Sequence, residues 1–72
     1  MEEDIIKKLG IKIRIERQKR KVSQEKLAEL TGLNRNFIGM IERGETNVTV
    51  KNLACIAEKL QIDIRELFNF II

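Results

Sequence analysis

Residues 23–44 read SQEKLAELTGLNRNFIGMIERG and contain two short helical patterns separated by a glycine. Ser23 can cap the free backbone N–H groups at the start of the first pattern. Gly32 can end it, because glycine readily adopts the left-handed conformation of a helix C-cap. Asn34 can cap the second pattern, which ends at Gly44. The stretch therefore predicts two consecutive short helices joined by a turn.

The second of these predicted helices has one apolar side. Ile38 and Ile41 are three residues apart, so they share a face and can pack on the preceding helix. Their expected partners there are Leu27 and Leu30. Ala28 stands where the two helices would cross, at a point with room for only a small side chain. Two short helices that meet in this way across a glycine-containing turn are the sequence form of a helix-turn-helix.

The other side of the same helix is polar at its start. Asn34, Arg35 and Asn36 project from the first turn. Gly39 lies beyond them on the outer side, where it would let a duplex approach the backbone closely. A major groove accepts an α-helix, and arginine and asparagine form bidentate hydrogen bonds with guanine and adenine edges. The pattern therefore predicts a recognition helix that docks through its apolar side and reads DNA with its N-terminal turn.

Periodicity and capping residues predict three further helices and no strand. The first is expected from about Asp4 to Arg20, with Gly10 as a local weakness. Ile6, Leu9 and Ile13 recur on its buried face. The other two are expected from Val50 to Leu60, capped by Thr49, and from Ile64 to about Phe70, capped by Asp63. The predicted fold class is all-α, with five helices in a single domain of residues 1–72.

The composition excludes several classes of protein. Of the 72 residues, 43% are hydrophobic, which is enough for one small core. Histidine is absent and there is one cysteine, so the commonest general base, the commonest zinc ligand and an internal disulfide are all missing. We therefore expect no enzyme, no metal and no cofactor. Because no apolar run approaches the length of a membrane span, we expect a soluble, cytoplasmic protein.

Basic side chains are concentrated between Lys12 and Lys21, although the net charge is only +3. Six lysines and arginines stand in this segment against one acid, Glu16. Such a run is typical of a protein that binds a polyanion, and it is equally typical of a solvated helix face.

The segment SQEKLAELTGLNRNFIGMIERG resembles the Cro/cI-type helix-turn-helix regulators, and the chain fits their five-helix, lambda-repressor-like fold in register over residues 9–68. Within that group, LNRNFIGMIERGETNVTVKNLACIAEKL (residues 33–60) is most similar to the controller proteins of restriction–modification systems. The resemblance implies a homodimeric transcriptional regulator that binds near-palindromic operators in double-stranded DNA. The resemblance further implies that the protein binds its own promoter and that of a restriction gene. Transcription would be activated when few of the sites are occupied and repressed when all are filled.

The resemblance also implies roles for individual residues. Base contacts are expected from Arg35, Asn36, Phe37 and Gly39. Phosphate contacts are expected from Ser23, Gln24, Arg43, Thr46, Asn47 and Thr49. An internal salt bridge is expected between Arg17 and Glu42. Three of these residues also have a structural interpretation: Phe37 at the edge of the core, Gln24 as a brace for the recognition helix, and Asn47 as part of its loop.

One position departs from the family pattern. The turn before the second helix usually carries glycine where this chain has Lys21. The resemblance therefore predicts a lysine with positive φ, at a cost of about 1 kcal/mol relative to glycine.

The C-terminal segment is more apolar than a small monomer should tolerate. Its apolar residues are Ile62, Ile64, Leu67, Phe68, Phe70, Ile71 and Ile72. Some of them are expected to close the core. A dimer interface is expected at Ile62, Ile64, Leu67, Phe68 and Phe70, because exposed apolar patches usually mark one. A two-fold dimer would place two recognition helices about 34 Å apart, one turn of DNA.

Two other functions are compatible with the sequence. An ordinary phage or host autorepressor would share most of the same motif, and its neighbouring genes would distinguish it. An antitoxin-like interaction module would instead bind a toxin through its apolar C-terminus.

Overall fold

The computed structural model of the chain describes residues 2–70, with side chains from residue 5 onward. Four α-helices and one short 3₁₀ helix follow one another in this range, and no strand occurs within it. They are α1 (Glu2–Lys19), α2 (Gln24–Thr31), α3 (Arg35–Glu42), α4 (Val50–Leu60) and the C-terminal 3₁₀ helix (Ile64–Phe68). The predicted all-α class is confirmed. The fifth predicted helix is a 3₁₀ helix that ends at Phe68.

The ends of the helices are set by local hydrogen bonds. Ser23, Asn34, Thr49 and Asp63 each accept a hydrogen bond through the side chain from a backbone N–H in the turn that follows. Gly32 ends α2 with φ +76°, in the left-handed region. The capping residues predicted from the sequence are therefore confirmed, because capping depends only on neighbours within three residues.

The core lies between α1, α2, α3 and α4 and is closed by the 3₁₀ helix, which packs against both α1 and α4. Its fully buried apolar side chains are Ile13, Leu27, Ile38, Ile41, Ile56, Leu60 and Leu67. Leu30 was expected to pack beneath the recognition helix, and that prediction is wrong: the residue is 37% exposed. The buried residues of α2 are Leu27 and the small Ala28.

Close packing of α1 on α3 depends on Gly10. A Cβ atom added there would lie 2.3 Å from the Ile41 carbonyl oxygen and 2.7 Å from the Glu42 carbonyl oxygen. Both atoms belong to the backbone, so no side-chain rotation could relieve the overlap. Gly10 therefore allows α1 to touch the C-terminal end of α3 directly, a role that local helix propensity did not reveal.

The turn between α1 and α2 contains Lys21 with φ +57°, which confirms the predicted left-handed lysine. Arg17 stabilises this turn by donating from Nη1 to the Val22 carbonyl oxygen at 2.7 Å. Within residues 2–70, none of the helices combines the length and the apolar character that a membrane crossing requires.

Candidate nucleic-acid interface

The predicted recognition helix, α3, has a buried side and an outward side. Ile38 and Ile41 anchor it in the core, at 1% and 2% exposure. Arg35, Asn36 and Met40 are exposed on the outward side. This division is the one that the sequence predicted for Arg35 and Asn36. Met40 lies one turn after Asn36 and is exposed on the same side.

The N-terminal turn of α3 is held by a side-chain cap. Asn34 Oδ1 accepts from the Asn36 backbone N–H at 2.7 Å, and no acidic residue stands in this turn. The N-terminus of a helix carries partial positive charge and attracts anions. Because no acidic side chain offsets that charge at the start of α3, this end of the helix favours the approach of DNA phosphates. Phe37 is half-buried and packs against the core, so its ring lies at the core edge beside the two exposed polar side chains.

A buried network positions α3 against α1 and α2. Arg17 donates to both carboxylate oxygens of Glu42, from Nε to Oε2 at 2.6 Å and from Nη2 to Oε1 at 3.0 Å. Gln24 Nε2 donates to Glu42 Oε1, also at 3.0 Å. This bidentate pair, buried at 8% and 5% residue exposure, is the arrangement implied by the family resemblance. The amide nitrogen of Gln24 thus acts as a brace for the recognition helix.

Hydroxyl and amide groups flank α3 on neighbouring elements. Ser23 and Thr49 begin α2 and α4, where each side-chain oxygen accepts from a backbone N–H. A hydroxyl that accepts one hydrogen bond can still donate its own hydrogen to a phosphate. In the loop after α3, Thr46 Oγ1 donates to the Asn47 carbonyl oxygen at 3.3 Å, and the Asn47 side chain is exposed.

Arg43 lies in a place that sequence reasoning missed. A Cβ atom added at Gly39 would lie 3.0 Å from Arg43 Nη1 and 3.7 Å from its Cζ, so the guanidinium lies directly over Gly39. Its Nε forms an ion pair with Glu45 Oε2 at 3.1 Å. The available signal was the four-residue spacing between Gly39 and Arg43, because helix side chains lean toward the N-terminus.

The basic run of residues 12–21 is largely paired within the chain. Lys12, Lys19 and Arg20 form ion pairs with Glu16, which is 2% exposed, and Arg17 pairs with Glu42. The hydrogen bond from Lys12, reinforced by Arg20 and Lys19 and opposed by burial, lowers the pKa of Glu16 from 4.5 to about 2. Four of the six basic side chains therefore have a carboxylate partner, but Lys12, Lys19 and Arg20 share the single charge of Glu16, so the run keeps part of its positive field.

The apolar C-terminal segment divides between core and surface. Leu67 is fully buried, so it completes the protomer's own core and presents no surface. Ile62 and Ile64 are half-buried against the same core. Phe68 is 47% exposed and Phe70 is half-buried. Ile71 and Ile72 lie outside the described residues.

Comparison with known proteins places this geometry in a family. A family model described as Helix-turn-helix matches residues 13–67. Control protein C.SmaI of Serratia marcescens is 41% identical over 66 residues, which cover 92% of this chain and 79% of that protein. Control protein C.BamHI of Bacillus amyloliquefaciens is 40% identical over 62 residues, which cover 85% of this chain and 76% of that protein. The chain belongs to the helix-turn-helix family of restriction–modification control proteins.

Structural similarity supports the same family. The crystal structure of the restriction-modification controller protein C.AhdI from Aeromonas hydrophila matches with a TM-score of 0.85 at 43% identity, covering 90% of this chain and 97% of that one. The family segment, residues 13–67, contains all of α2, α3 and α4 together with the Arg17–Glu42 pair. The likeness therefore extends over the recognition helix and over the network that positions it.

Proposed function

We propose that this chain is the controller protein of a restriction–modification system, a transcriptional regulator that binds DNA sequence-specifically. The observation that carries the proposal is the division of α3. Its apolar side is anchored in the core, and its first turn presents Arg35 and Asn36 outward. The similarity to named control proteins supports the same function.

In the proposed complex, α2 and α3 act as the helix-turn-helix and α3 enters the major groove with its N-terminal turn. Arg35 reads guanine and Asn36 reads adenine, the pairings that their donor and acceptor groups favour. Phe37 is proposed to reach a base from the edge of the core, and the buried Gly39 to let the groove come close to the helix. Phosphate contacts come from Ser23, Gln24, Thr46, Asn47 and Thr49. Arg43 also contacts DNA.

The proposed operator-binding unit is a homodimer of single-domain chains. One short helix reads only a few base pairs, whereas two copies on a two-fold axis read a near-palindrome with half-sites one turn of DNA apart. The exposed ring of Phe68 and the half-buried Ile62, Ile64 and Phe70 support an interface at the C-terminal 3₁₀ helix. No catalytic step or cofactor is part of the proposal, and the site of action is the cytoplasm.

Selection from a random-sequence duplex pool, followed by sequencing, tests the function directly. At near-physiological salt we expect an enriched near-palindrome whose half-sites are about ten base pairs apart. Placing that sequence in the genome beside restriction and methyltransferase genes would support the controller assignment. Salt-sensitive binding to every duplex without enrichment would contradict the function, because phosphate contacts alone carry no sequence information.

Replacing Arg35 by alanine tests the proposed base reader. We expect a loss of roughly 1–3 kcal/mol of binding free energy per half-site and relaxed base choice at one position. Lys59→Ala removes the same charge from an exposed position in the last turn of α4 and serves as the matched control. Equal effects of the two substitutions, measured by titration of the selected operator, would assign Arg35 to general charge attraction.

A further inference from the structure

The position of Arg43 suggests a role beyond phosphate contact. Its guanidinium occupies the space that a side chain at Gly39 would fill, with Nη1 3.0 Å from an added Cβ. On a helix, residues 36, 39 and 43 share one side, because their spacings are close to one and two turns. The middle of the outward side of α3, at Gly39, is therefore covered by the guanidinium of Arg43, which lies one turn further along the chain.

Glu45 pairs with this guanidinium at the protein surface, where the Arg43 and Glu45 side chains are 58% and 52% exposed. The backbone N–H of Glu45 donates to the Met40 carbonyl oxygen at 2.9 Å, which folds the chain back over the end of α3. Its carboxylate then pairs with Arg43 Nε at 3.1 Å. Arginine has five N–H donors in a planar fork, so an ion pair at Nε leaves the two Nη groups able to donate in parallel.

This arrangement suits a base better than a phosphate. A carboxylate beside the guanidinium cancels part of its positive charge and repels an approaching phosphate, which weakens a purely electrostatic contact. Hydrogen bonds from the two Nη groups keep their geometry, and guanine O6 and N7 accept bidentate arginine in the major groove. Arg43 also lies on the same side of α3 as Asn36.

We infer that Arg43, laid over Gly39 and held by Glu45, is a second guanine-reading residue of this protein, and that Glu45 is its positioning residue. The inference rests on the proposed function and adds one base pair to each half-site that α3 reads. It also gives Gly39 a different role. The absent side chain makes room for an arginine from the next turn, and does not merely let the duplex approach.

The test uses the operator selected above, with every half-site position varied in turn. Arg43→Ala is expected to reduce the preference for guanine by roughly 5- to 100-fold at one position, different from the position that Arg35→Ala relaxes. A guanine analogue without the N7 acceptor at that position should weaken binding by the wild type and leave Arg43→Ala unchanged. A uniform loss over all sequences, with the salt dependence reduced by about one phosphate contact, would overturn base reading.

Glu45→Gln tests the positioning role, with Glu58→Gln as the matched control on the exposed side of α4. Both changes remove one negative charge and should raise affinity for any duplex. Only Glu45→Gln is expected to weaken the guanine preference at the Arg43 position, and it should have no such effect in an Arg43→Ala background. Equal base preferences of the two glutamine variants would overturn the role of Glu45. Circular dichroism on each variant verifies that the helices are retained.

The outcomes separate this inference from the function on which it rests. A wild-type protein that enriches no sequence overturns both. A wild-type protein that enriches an operator whose base preferences are unchanged by Arg43→Ala overturns the second reader alone.

Discussion

Two buried carboxylates in this chain are neutralised in different ways. Glu42, on α3, receives its hydrogen bonds from Arg17 and Gln24, which are 25 and 18 residues away in the sequence. Glu16, on α1, is paired with Lys12, Lys19 and Arg20, all within four residues. The first network joins three helices. The second chiefly stabilises the helix that contains it, so similar burial of a charge serves tertiary structure in one place and local structure in the other.

The two networks differ in how much their side chains are exposed to water. The side chains of Arg17 and Glu42 are only 10% and 2% exposed, so each would be an unpaired buried charge without the other. Around Glu16, the Lys19 and Arg20 side chains are 61% and 34% exposed and are therefore screened by water. The Glu16 cluster is also redundant, since removing one cation leaves two. The Glu42 network should therefore dominate stability.

Removing the cation from the Glu42 network should have the largest effect. Arg17→Met leaves Glu42 buried without its charge partner and frees the Val22 carbonyl oxygen, so we expect a loss of roughly 3–5 kcal/mol in the free energy of unfolding. Small domains have about 5–15 kcal/mol in total, so this loss would remove a large fraction of the stability of the fold. Urea denaturation followed by circular dichroism measures the change.

Arg14→Met is the control for this substitution. It makes the same chemical change at an exposed position of α1. If Arg17→Met lowers the free energy of unfolding no more than Arg14→Met does, the buried Glu42 network contributes no more stability than an exposed arginine.

Gly10→Ala should have the next largest effect, because it separates the helices that the Glu42 network joins. Helix propensity alone predicts stabilisation of about 1 kcal/mol. The contact with backbone oxygens of α3 predicts instead a loss of roughly 3 kcal/mol, near the upper end of overpacking costs. The sign of the change in unfolding free energy decides between them, and Gln18→Ala, at an exposed position of α1, reports propensity alone.

Acid should weaken the Glu16 cluster through a defined pH window. The folded-state pKa of Glu16 is about 2 and its ordinary value is 4.5, so its contribution is complete above pH 4.5 and is lost as the pH falls toward 2. Allowing for screening of its exposed partners, we expect this contribution to be about 2 kcal/mol. Unfolding of the wild type and of Glu16→Gln should be compared between neutral pH and pH 2. A stability difference that stays constant across the window would contradict the assignment.

The smallest effect is expected at the ion pair that joins the Glu16 cluster to the C-terminal 3₁₀ helix. Lys12 Nζ lies 3.1 Å from Glu66 Oε2, but the Glu66 side chain is 40% exposed. Glu66→Gln should therefore reduce stability less than Glu16→Gln does at neutral pH. A larger loss for Glu66→Gln would show that this ion pair, and not burial of Leu67, holds the 3₁₀ helix against α1.

Predictability followed the range of the interactions. The caps at Ser23, Asn34 and Thr49 and the left-handed Lys21 were predictable because each depends on immediate neighbours or on a short motif. The fifth helix was placed correctly at its start, where Asp63 caps it, but its 3₁₀ form and its end at Phe68 were not foreseen. Hydrophobicity alone could not decide which apolar residues enter the core.

Leu30 and Leu67 illustrate that limit. Leu30 has the spacing of a core residue in α2 but is 37% exposed, whereas Leu27 and Ala28 are buried. Leu67 was assigned to the dimer interface and is instead fully buried in the protomer. Which side of a short helix faces the core depends on how its neighbours pack, and those neighbours are distant in the sequence.

The sequence by itself determined the helices, most of their ends, the polar first turn of α3 and the family, because caps, periodicity and motif spacing act over a few residues at a time. The Arg17–Glu42 pair was accessible only through the family resemblance. The tertiary structure alone decided the contact of Gly10 with α3, the choice of Glu42 as the partner of Gln24 and the position of Arg43 over Gly39. These features depend on the distance between backbones and the direction of long side chains, which local sequence rules do not specify.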